Sequence, residues 1–368
     1  MSRDAAVIGA GITGLAVART LAERGLNVVV VERDGIGAGA SGVQPGGVRQ
    51  QWGTAVACRL ARESVEFWRH AADHLRSNVD LAFQRCGYLF VALTDETLER
   101  LARNVRVQNE EGIPSRIVSS VEAAELVPGL EPVAGGAWCG EDGYFDRPQS
   151  VVEAFARGLE IVHAHADALA RDGGGWRVEL ADGTALGAEH VVVAAGVDSR
   201  VLLEPLGVEL PLVAEDRYLF FSDALPERLL EPLVVAPELR FAAKQLADGR
   251  VLASDLAARG DGRAREEWRA TIRTAVERLV PLLSYVSYPT LVRGSYDVTP
   301  DHQPVLGPVP GADGVFVAAG FSGHGFMIAP AVARIVADAV AGTADSVLET
   351  LGVERFAAGR LVPEPQLV

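Results

Sequence analysis

Three glycines near the N-terminus have a spacing that suits the binding of a dinucleotide. They belong to a GxGxxG run at residues 9–14, and five of its six residues enter the predicted binding site: Gly9, Gly11, Ile12, Thr13 and Gly14. In such a run the first glycine permits a tight turn, the second admits a pyrophosphate, and the third lets a helix pack on a strand. Glu32, with Arg33 beside it, could hold ribose hydroxyls. An acid there repels the 2′-phosphate of NADP, which favours FAD or NAD.

A second glycine-rich turn lies near the C-terminus, after a predicted buried strand at residues 314–320. Its residues are predicted to contact the same ligand: Gly320, Phe321, Ser322, Gly323, His324, Gly325, Phe326 and Met327. Backbone N–H groups at the start of a helix carry partial positive charge and could bind a flavin carbonyl. His324, as a neutral imidazole, could hydrogen-bond flavin or substrate. The residues alone also allow a purely structural turn, and NAD in place of FAD.

Regular elements must position these turns, and the apolar pattern predicts them. The first 32 residues read as a βαβ unit, with buried strands at 4–10 and 27–32 around a helix at 12–24. Residues 35–53 are too rich in glycine for a regular element and predict a long functional loop. A long amphipathic helix is then expected at residues 54–75.

The remaining pattern mixes parallel and antiparallel blocks. Parallel-sheet character is predicted for 176–180, 190–195 and 314–320, and a helix for 329–341. Residues 211–298 predict antiparallel strands interrupted by a helix at about 262–280, and 363–368 a loose tail. The expected fold is α/β, α+β overall: a doubly wound, Rossmann-type parallel sheet interleaved with a mixed, largely antiparallel substrate domain.

Composition excludes several classes of function. The chain has 34 Lys and Arg against 49 Asp and Glu, a net charge of −15, which disfavours nucleic acid as a partner. Three widely spaced cysteines without a CxxC pair support neither a disulfide framework nor a metal site. His70 and His74 share a helical face but have no third ligand in the pattern. No signal peptide or apolar run of about 20 residues is evident, so we expect a cytoplasmic protein with no membrane contact.

Several longer segments resemble one enzyme superfamily, in its order, from residue 5 to about 340. They include VIGAGITGLAVARTLAERG, GASGVQPGGVRQQWG, GYLF, DGYFDRPQSVVEAFARG, VVVAAG, TPDHQPVLGP and AAGFSGHGFMIAPAVARIVAD. The chain resembles the D-amino-acid-oxidase-like FAD-dependent oxidoreductases. Within them it is nearest to sarcosine oxidase (monomeric and β subunit), the proline dehydrogenase β subunit and glycine oxidase.

The resemblance implies an oxidoreductase acting on the C–N bond of a small amino acid or N-alkylated amino acid. Hydride would pass to flavin N5, and the imine would then hydrolyse. FAD is expected to be non-covalent, because the family's cysteine attachment position is Gly294 here and residues 35–53 contain no histidine. Oxidation of a 2-hydroxy acid on the same fold is one alternative. An FAD-holding β-type subunit of a multi-subunit dehydrogenase is the other.

The resemblance also divides the chain into two interleaved domains. The FAD-binding domain is expected at 1–84, 144–211 and 292–368, and the substrate domain at 85–143 and 212–291. Further cofactor contacts are implied for a set of small residues around the flavin domain's loops: Ala40, Ser41, Gly46, Gly47, Val48, Ala166, Ala195 and Gly196.

Four residues are implied as catalytic, and they concern substrate and acceptor. Arg49 matches the position at which sarcosine oxidases bind the substrate carboxylate, and a guanidinium fork suits that anion. A second carboxylate-binding lysine of those enzymes is Met327 here, and the arginine of glycine oxidase is Tyr296, which could donate a hydroxyl instead. His324 is the third candidate.

The fourth candidate, Lys244, concerns the electron acceptor. The oxygen-activating lysine of monomeric sarcosine oxidases aligns with Val251, and Lys244 lies on the preceding predicted strand. Either Lys244 replaces that lysine or the acceptor is not O2. The expected partners are a small carboxylate-bearing amine, O2 or another acceptor, and a homo-oligomer or partner subunits.

Overall fold

The computed structural model describes residues 3–78, 81, 83–256 and 265–365, with only the backbone given for 265, 266 and 268. Helices and strands alternate along most of this length. The strands are β1 Arg3–Ile8, β2 Val28–Glu32, β3 Gly47–Val48, β4 Phe83–Gln84, β5 Tyr88–Ala92, β6 Arg116–Val118, β7 Gly135–Cys139, β8 Gly143–Phe145, β9 Glu160–His163, β10 Ala166–Asp172, β11 Gly175–Leu180, β12 Ala185–Val193, β13 Val213–Ala224, β14 Leu233–Ala236, β15 Phe241–Gln245, β16 Arg250–Asp255, β17 Thr290–Val298, β18 Val305–Pro308 and β19 Val315–Ala319.

The helices include those predicted after β1, after the glycine-rich loop and near the C-terminus, together with shorter ones that the pattern did not predict. They are α1 Ile12–Glu23, α2 Ala40–Val43, α3 Ala55–Arg69, α4 Ala71–His74, α5 Asp95–Glu110, α6 Ser120–Leu126, α7 Pro148–Ala156, α8 Ser199–Leu203, α9 Arg265–Leu279, α10 Gly325–Val340, α11 Ser346–Leu351 and α12 Glu354–Ala357. Within the described part of the chain, none of them is both long and apolar enough to cross a bilayer.

The first sheet contains the predicted βαβ unit. Its order is β10-β11-β12-β1-β2-β9, and β19 pairs with the C-terminal part of β12 and with β18. β1 is parallel to both β2 and β12, and β12 is parallel to β19. Ala5 and Val7 point to the helices of one face, whereas Ala6 and Ile8 pack into the core of the other. Burial on both faces is why β1 reads as a continuous apolar run.

One strand of this sheet differs from prediction. β11, predicted as parallel, is antiparallel to both β10 and β12. Its connections explain this, because Gly173–Gly174 and Asp182–Gly183 are tight turns with left-handed glycines at 173 and 183. Such short turns join only antiparallel neighbours, since a parallel pair needs a long crossover.

The second sheet has the order β17-β13-β16-β15-β14-β5-β7-β6, and it is antiparallel except where β14 meets β5. The predicted antiparallel block and the mixed α/β fold class are thereby confirmed. β17 pairs with β13 over its whole length, although the predicted domain boundary at 291/292 passes through it. The domain limits themselves stay a prediction.

Three further expectations concern elements. The predicted helix at 54–75 is interrupted at His70, whose φ of −120° and ψ of 26° separate α3 from α4. α10 begins at Gly325, before the predicted residue 329, so the glycine turn leads directly into it. The predicted loose tail at 363–368 is wrong for Glu364, which is 3% exposed and hydrogen-bonded. Residues 366–368 lie outside the described residues.

Candidate functional site

A cavity of about 890 Å³ lies between the carboxyl ends of the first sheet's strands and the second sheet. Ligands of open α/β sheets bind at such carboxyl ends. Sixteen predicted site residues line it: Gly9, Gly11, Ile12, Thr13, Glu32, Arg33, Ala40, Ser41, Ala166, Ala195, Gly196, Tyr296, Phe321, Gly323, Gly325 and Phe326. The other predicted residues do not line it: Gly14, Gly46, Gly47, Val48, Arg49, Lys244, Gly320, Ser322, His324 and Met327.

Each glycine of the N-terminal turn is required for a different structural reason. Gly9 has a φ of +108°, and a Cβ there would lie 2.4 Å from the Ala194 carbonyl oxygen. A Cβ on Gly14 would lie 2.1 Å from the Gly9 carbonyl oxygen, so both positions exclude side chains within the protein itself. A Cβ on Gly11 would contact only the Ser41 hydroxyl, at 3.3 Å. Gly11 therefore leaves space on the cavity side.

Backbone donors converge beside these glycines. The N-cap of α1 has no side-chain hydrogen bond, and the first turn contains no acidic residue. The Ile12 N–H donates to Ser41 Oγ at 2.9 Å, which brings a hydroxyl to the positive end of the helix. The Glu32 carboxylate accepts the Ala10 N–H at 2.7 Å and the Asp34 N–H at 2.7 Å. Glu32 is thus fixed at the end of β2, where it faces the cavity.

Gln44 fits a ligand in this cavity, and no motif in the sequence selects it. Its side-chain oxygen accepts the Gly46 N–H at 2.5 Å. Its Nε2 is buried and lacks a hydrogen-bond partner among the described residues, although Gln44 lines the cavity. A buried donor without an acceptor is costly, which indicates that a ligand supplies the acceptor.

Asp297 holds the second glycine turn, and sequence reasoning missed it as well. Its two carboxylate oxygens accept the Gly320 N–H at 2.7 Å and the Phe321 N–H at 3.2 Å. Its carbonyl accepts the Ser322 N–H at 3.0 Å, where Ser322 has a left-handed φ of 51°. Burial raises the pKa of Asp297 to about 6. A residue of the second sheet thus fixes the loop that leads into α10.

Tyr296, the neighbour of Asp297 on β17, lies on this turn. A Cβ on Gly323 would lie 2.5 Å from the Tyr296 ring, so the aromatic ring lies against the bare backbone of that glycine. Burial raises the pKa of the Tyr296 phenol, with the charges of Arg217 and Arg49 opposing the rise. Tyr296 is therefore a neutral hydroxyl donor at the cavity.

Arg49, Trp52 and His324 form a buried cluster near Tyr296, in which the Trp52 and His324 rings meet edge to face at an angle of 61°. The Arg49 guanidinium carbon lies 3.5 Å from the Trp52 ring centroid, and the Trp52 and His324 ring centroids are 4.0 Å apart. Arg49 is 1% exposed and donates from Nη1 to the Gln51 carbonyl at 2.7 Å. Burial lowers the pKa of Arg49 to about 10, so it remains a cation at neutral pH. Burial also lowers the pKa of His324 well below its usual value, which leaves the imidazole neutral.

Asp142 and Tyr88 complete the surroundings of Arg49, and neither was selected from the sequence. Asp142 is fully buried and accepts the Gln50 N–H at 2.9 Å and Gln51 Nε2 at 3.1 Å. Burial raises the pKa of Asp142 to about 6. A Cβ on Gly47 would lie 2.0 Å from the Tyr88 hydroxyl oxygen and 3.7 Å from Met327 Cε. Since these partners are distant in sequence, only the fold reveals them.

Lys244 lies on β15 with its side chain fully buried. Its Nζ is 3.7 Å from the Tyr144 ring centroid and 3.4 Å from the Phe145 carbonyl oxygen, to which it donates. Burial lowers the pKa of Lys244 to about 7. Val251, the aligned position, packs under α9 in the core of the second sheet, on the opposite face of that sheet. Lys244 therefore lies on the face shared with Tyr88 and Phe90.

Histidines and acids elsewhere do not suggest a metal. No group of three or more His, Cys, Asp or Glu side chains that could hold an ion occurs in the part of the chain that the structure describes. The His70 and His74 ring centroids are 6.3 Å apart, and His74 stacks on Phe67.

Comparison with known proteins places this geometry in a family. The family model described as FAD dependent oxidoreductase (DAO) matches residues 4–339. Glycine oxidase of Pseudomonas aeruginosa is 30% identical over 93% of this chain and 96% of its own length. A 4-methylaminobutanoate oxidase (formaldehyde-forming) of Paenarthrobacter nicotinovorans is 27% identical over 95% of this chain. The chain spans only 45% of that relative.

Solved structures agree with this assignment. L-proline dehydrogenase from P. horikoshii superposes with a TM-score of 0.90 at 25% identity, over 98% of this chain and 99% of that one. Glycine oxidase from Geobacillus kaustophilus gives a TM-score of 0.87 at 25% identity, over 96% and 99%. The chain therefore belongs to the DAO family of FAD-dependent oxidoreductases.

Proposed function

We propose that this oxidoreductase oxidises the C–N bond of a small amino acid or N-alkylated amino acid. Relatives named glycine oxidase and 4-methylaminobutanoate oxidase support this class of substrate. The observation that carries the proposal is the buried cation of Arg49 close to Tyr296, which lines the cavity. A cation in a dry site suits a substrate carboxylate, because the charge-assisted hydrogen bonds there are strong.

FAD fits the cavity, and we propose which residues hold it. Gly11 and the Ile12 N–H lie where the pyrophosphate would bind, Glu32 where the ribose would bind, and Gln44 Nε2 supplies a donor. When bound, FAD supplies the two-electron oxidant. We propose non-covalent binding, because Gly294 offers no nucleophile, and a Cβ there would lie 2.2 Å from Val43 Cγ2.

The protein's own contribution is to bind and orient the substrate. Arg49 would pair with the carboxylate, and Tyr296 would donate its hydroxyl to the same group. The neutral His324 adds no charge, so it would not repel a substrate ammonium group. The Trp52 and Phe90 ring centroids lie 3.5 and 5.2 Å from the Arg49 guanidinium carbon, and these rings would exclude water from the pair. Exclusion of water strengthens the electrostatic interaction that fixes the α-carbon.

The electron acceptor, the cellular location and the oligomeric state are also proposals. We propose O2 as the acceptor, assisted by Lys244, which is buried on the face of the second sheet that carries Tyr88 and Phe90; a different acceptor is the alternative. A cytoplasmic location is supported by the three free cysteines, which suit a reducing compartment. We also propose that the chain assembles, either as a homo-oligomer or with partner subunits.

Anaerobic reduction of the bound flavin tests the function. The purified holoenzyme is mixed with glycine, sarcosine, proline, 4-methylaminobutanoate and matched 2-hydroxy acids, and the flavin absorbance is followed. We expect bleaching by at least one amino acid and release of the corresponding carbonyl product in aerobic turnover. Bleaching by hydroxy acids alone would contradict the proposal, and turnover only with added protein or dye would indicate a dependent subunit.

A further inference from the structure

The C-terminal segment after α12 is fixed against the core by a buried ion pair. Arg355 and Asp301 are 1% and 0% exposed, and Arg355 Nε and Nη2 donate to the two Asp301 carboxylate oxygens at 2.9 and 3.1 Å. The Val362 N–H donates to the Asp301 carboxylate and the Glu364 N–H to the Asp301 carbonyl. The backbone as far as Glu364 is thus held in one place.

The Glu364 side chain then reaches a turn distant in sequence. One carboxylate oxygen accepts the Gly53 N–H and the other the Thr54 hydroxyl, both at 2.7 Å. Thr54 is the N-cap of α3 but makes no side-chain cap hydrogen bond of its own. Glu364 therefore satisfies donors at the positive end of a long helix, where a carboxylate is favoured. Pro365 covers Gly53, because a Cβ there would lie 2.2 Å from Pro365 Cγ.

The residue before this turn is Trp52, whose indole ring contacts the Arg49 guanidinium. The Trp52 indole N–H donates to the Arg49 carbonyl at 3.3 Å, in addition to the stacking. Asp142 holds the other side of the segment through Gln50 and Gln51. The segment 49–54 is thus fixed from two sides, by Asp142 in the loop between β7 and β8 and by the C-terminal segment.

Electrostatics connects Glu364 to Arg49 as well. The charged or titratable groups that act on Arg49 come from separate elements: Tyr88, Glu364, Asp142 and Cys58. The Glu364 and Asp142 carboxylates favour the charged guanidinium, whereas burial opposes it. A buried cation in a site for anions needs such compensation when no substrate is bound.

We propose that Glu364 is a positioning residue, which holds the Gly53–Thr54 turn and, through the preceding Trp52, orients Arg49 for the substrate carboxylate. The inference rests on the proposed function, since it concerns the same anion site. It assigns a role in substrate recognition to the C-terminal segment, which contacts neither the phosphate-binding turn nor the glycine turn before α10 in any hydrogen bond of the described residues.

Acetate, a simple carboxylate, probes this site directly. Its dissociation constant is read from the change in flavin absorbance for the holoenzyme and for Glu364→Ala, Glu364→Gln and Arg49→Met. Glu364→Ala should weaken acetate binding and raise the substrate KM about tenfold or more, with FAD content and kcat near the parent values. Glu364→Gln keeps an acceptor for Gly53 and should recover most of the affinity. The exposed Glu354→Ala, in the same C-terminal region, is the matched control and should change nothing.

The outcomes separate the two proposals. If Arg49→Met weakens acetate binding and Glu364→Ala does not, the positioning role is wrong and the proposed function stands. If Glu364→Gln is impaired as much as Glu364→Ala, the hydrogen bond to Gly53 does not position the site, and the proposal is again wrong. If Arg49→Met binds acetate as the parent does, or acetate does not bind the parent, the proposed function itself fails. Should Glu364→Ala not fold, Thr54→Val removes one of its two partners and should weaken acetate binding severalfold.

Discussion

At the scale of single residues, Arg49 is the most informative position. It is buried beside Trp52 and close to Tyr296, so its loss removes a cation from a dry site. A charge-assisted hydrogen bond contributes about 1.5–3 kcal/mol, and a stranded carboxylate costs more. Arg49→Met should lower kcat/KM by about 10²–10⁴ with FAD content unchanged. Steady-state kinetics on the best substrate from the anaerobic screen measures this.

Tyr296→Phe provides the comparison for Arg49→Met. It removes one neutral hydroxyl and should lower kcat/KM only about tenfold, since a neutral hydrogen bond is weaker than a charged one. Near-parental kcat/KM for Arg49→Met would mean that the substrate is not held by its carboxylate. A simple amine would then replace the amino acid in the proposal.

Lys244 carries a prediction about the electron acceptor. Because burial lowers its pKa to about 7, the lysine loses its charge as the pH rises through that value. If the ammonium assists O2, reoxidation of reduced flavin should slow as the pH rises through about 7, and it should be slow at every pH in Lys244→Met. Anaerobic reduction by substrate should be unchanged in the variant. Stopped-flow reoxidation rates that match the parent would remove Lys244 from the reaction.

Sequence reasoning at this scale could identify motif residues but not their supporting partners. Gly9, Gly11 and Glu32 were predictable, because their spacing alone gives the chemistry. Asp297 and Asp142 were not, since each acts on a backbone segment more than 20 residues away, and an isolated acid in a strand or loop has no distinguishing pattern. Their significance depends on burial, which only the fold shows.

At the scale of elements, the start of α1 contains one glycine that ligand binding requires and another that the fold requires. A Cβ on Gly11 meets only Ser41 Oγ at 3.3 Å, whereas a Cβ on Gly14 would lie 2.1 Å from the Gly9 carbonyl oxygen. Gly11→Val should therefore fold but lose FAD, because the side chain occupies space that the pyrophosphate needs. Gly14→Val should lose the fold. Circular dichroism and the flavin-to-protein absorbance ratio distinguish the two, and a Gly11→Val protein that retains full FAD would contradict the assignment.

The turn before α10 depends on one carboxylate of β17. Asp297→Asn places an amide N–H₂ against one of two backbone donors, at a cost of about 1–3 kcal/mol. We expect a weaker FAD complex and a lower melting temperature than for the exposed control Asp313→Asn. The pKa of Asp297 in the fold, about 6, exceeds the unfolded value, so stability from this group falls as pH rises from about 4 to 6. Asp297→Asn should remove this dependence of the unfolding free energy on pH. An unchanged dependence would contradict the role assigned to Asp297.

Elements with a continuous pattern were predictable, and those fixed by distant partners were not. The βαβ unit follows from the apolar spacing of residues 4–32, and the structure contains it. The antiparallel direction of β11 could have been predicted only from the two short turns that flank it. The C-terminal segment contains no periodic apolar pattern, so its position depends on Asp301 and Gly53, which the sequence could not place beside it.

At the scale of the whole molecule, the two sheets are joined by β17 and the cavity lies between them. β17 is hydrogen-bonded in the second sheet, yet its Asp297 holds the turn that follows β19 of the first. Interleaving of the sheets was predictable from alternating blocks of strand pattern. The path of β17 was not, because a strand at a junction has the same residue pattern as one within a sheet.

Removal of FAD tests the molecule as a whole. Gly294 has no side chain for attachment, so acid precipitation should release all flavin as FAD, and a yellow precipitate would show covalent binding. Because FAD contacts both glycine turns in our assignment, apoprotein should be less stable than holoenzyme. A ligand present at a thousand times its dissociation constant stabilises by about 4 kcal/mol, which should raise the melting temperature by several degrees. Titration of apoprotein with FAD, followed by differential scanning calorimetry, measures the shift. A melting temperature independent of FAD concentration would mean that the cavity does not hold it.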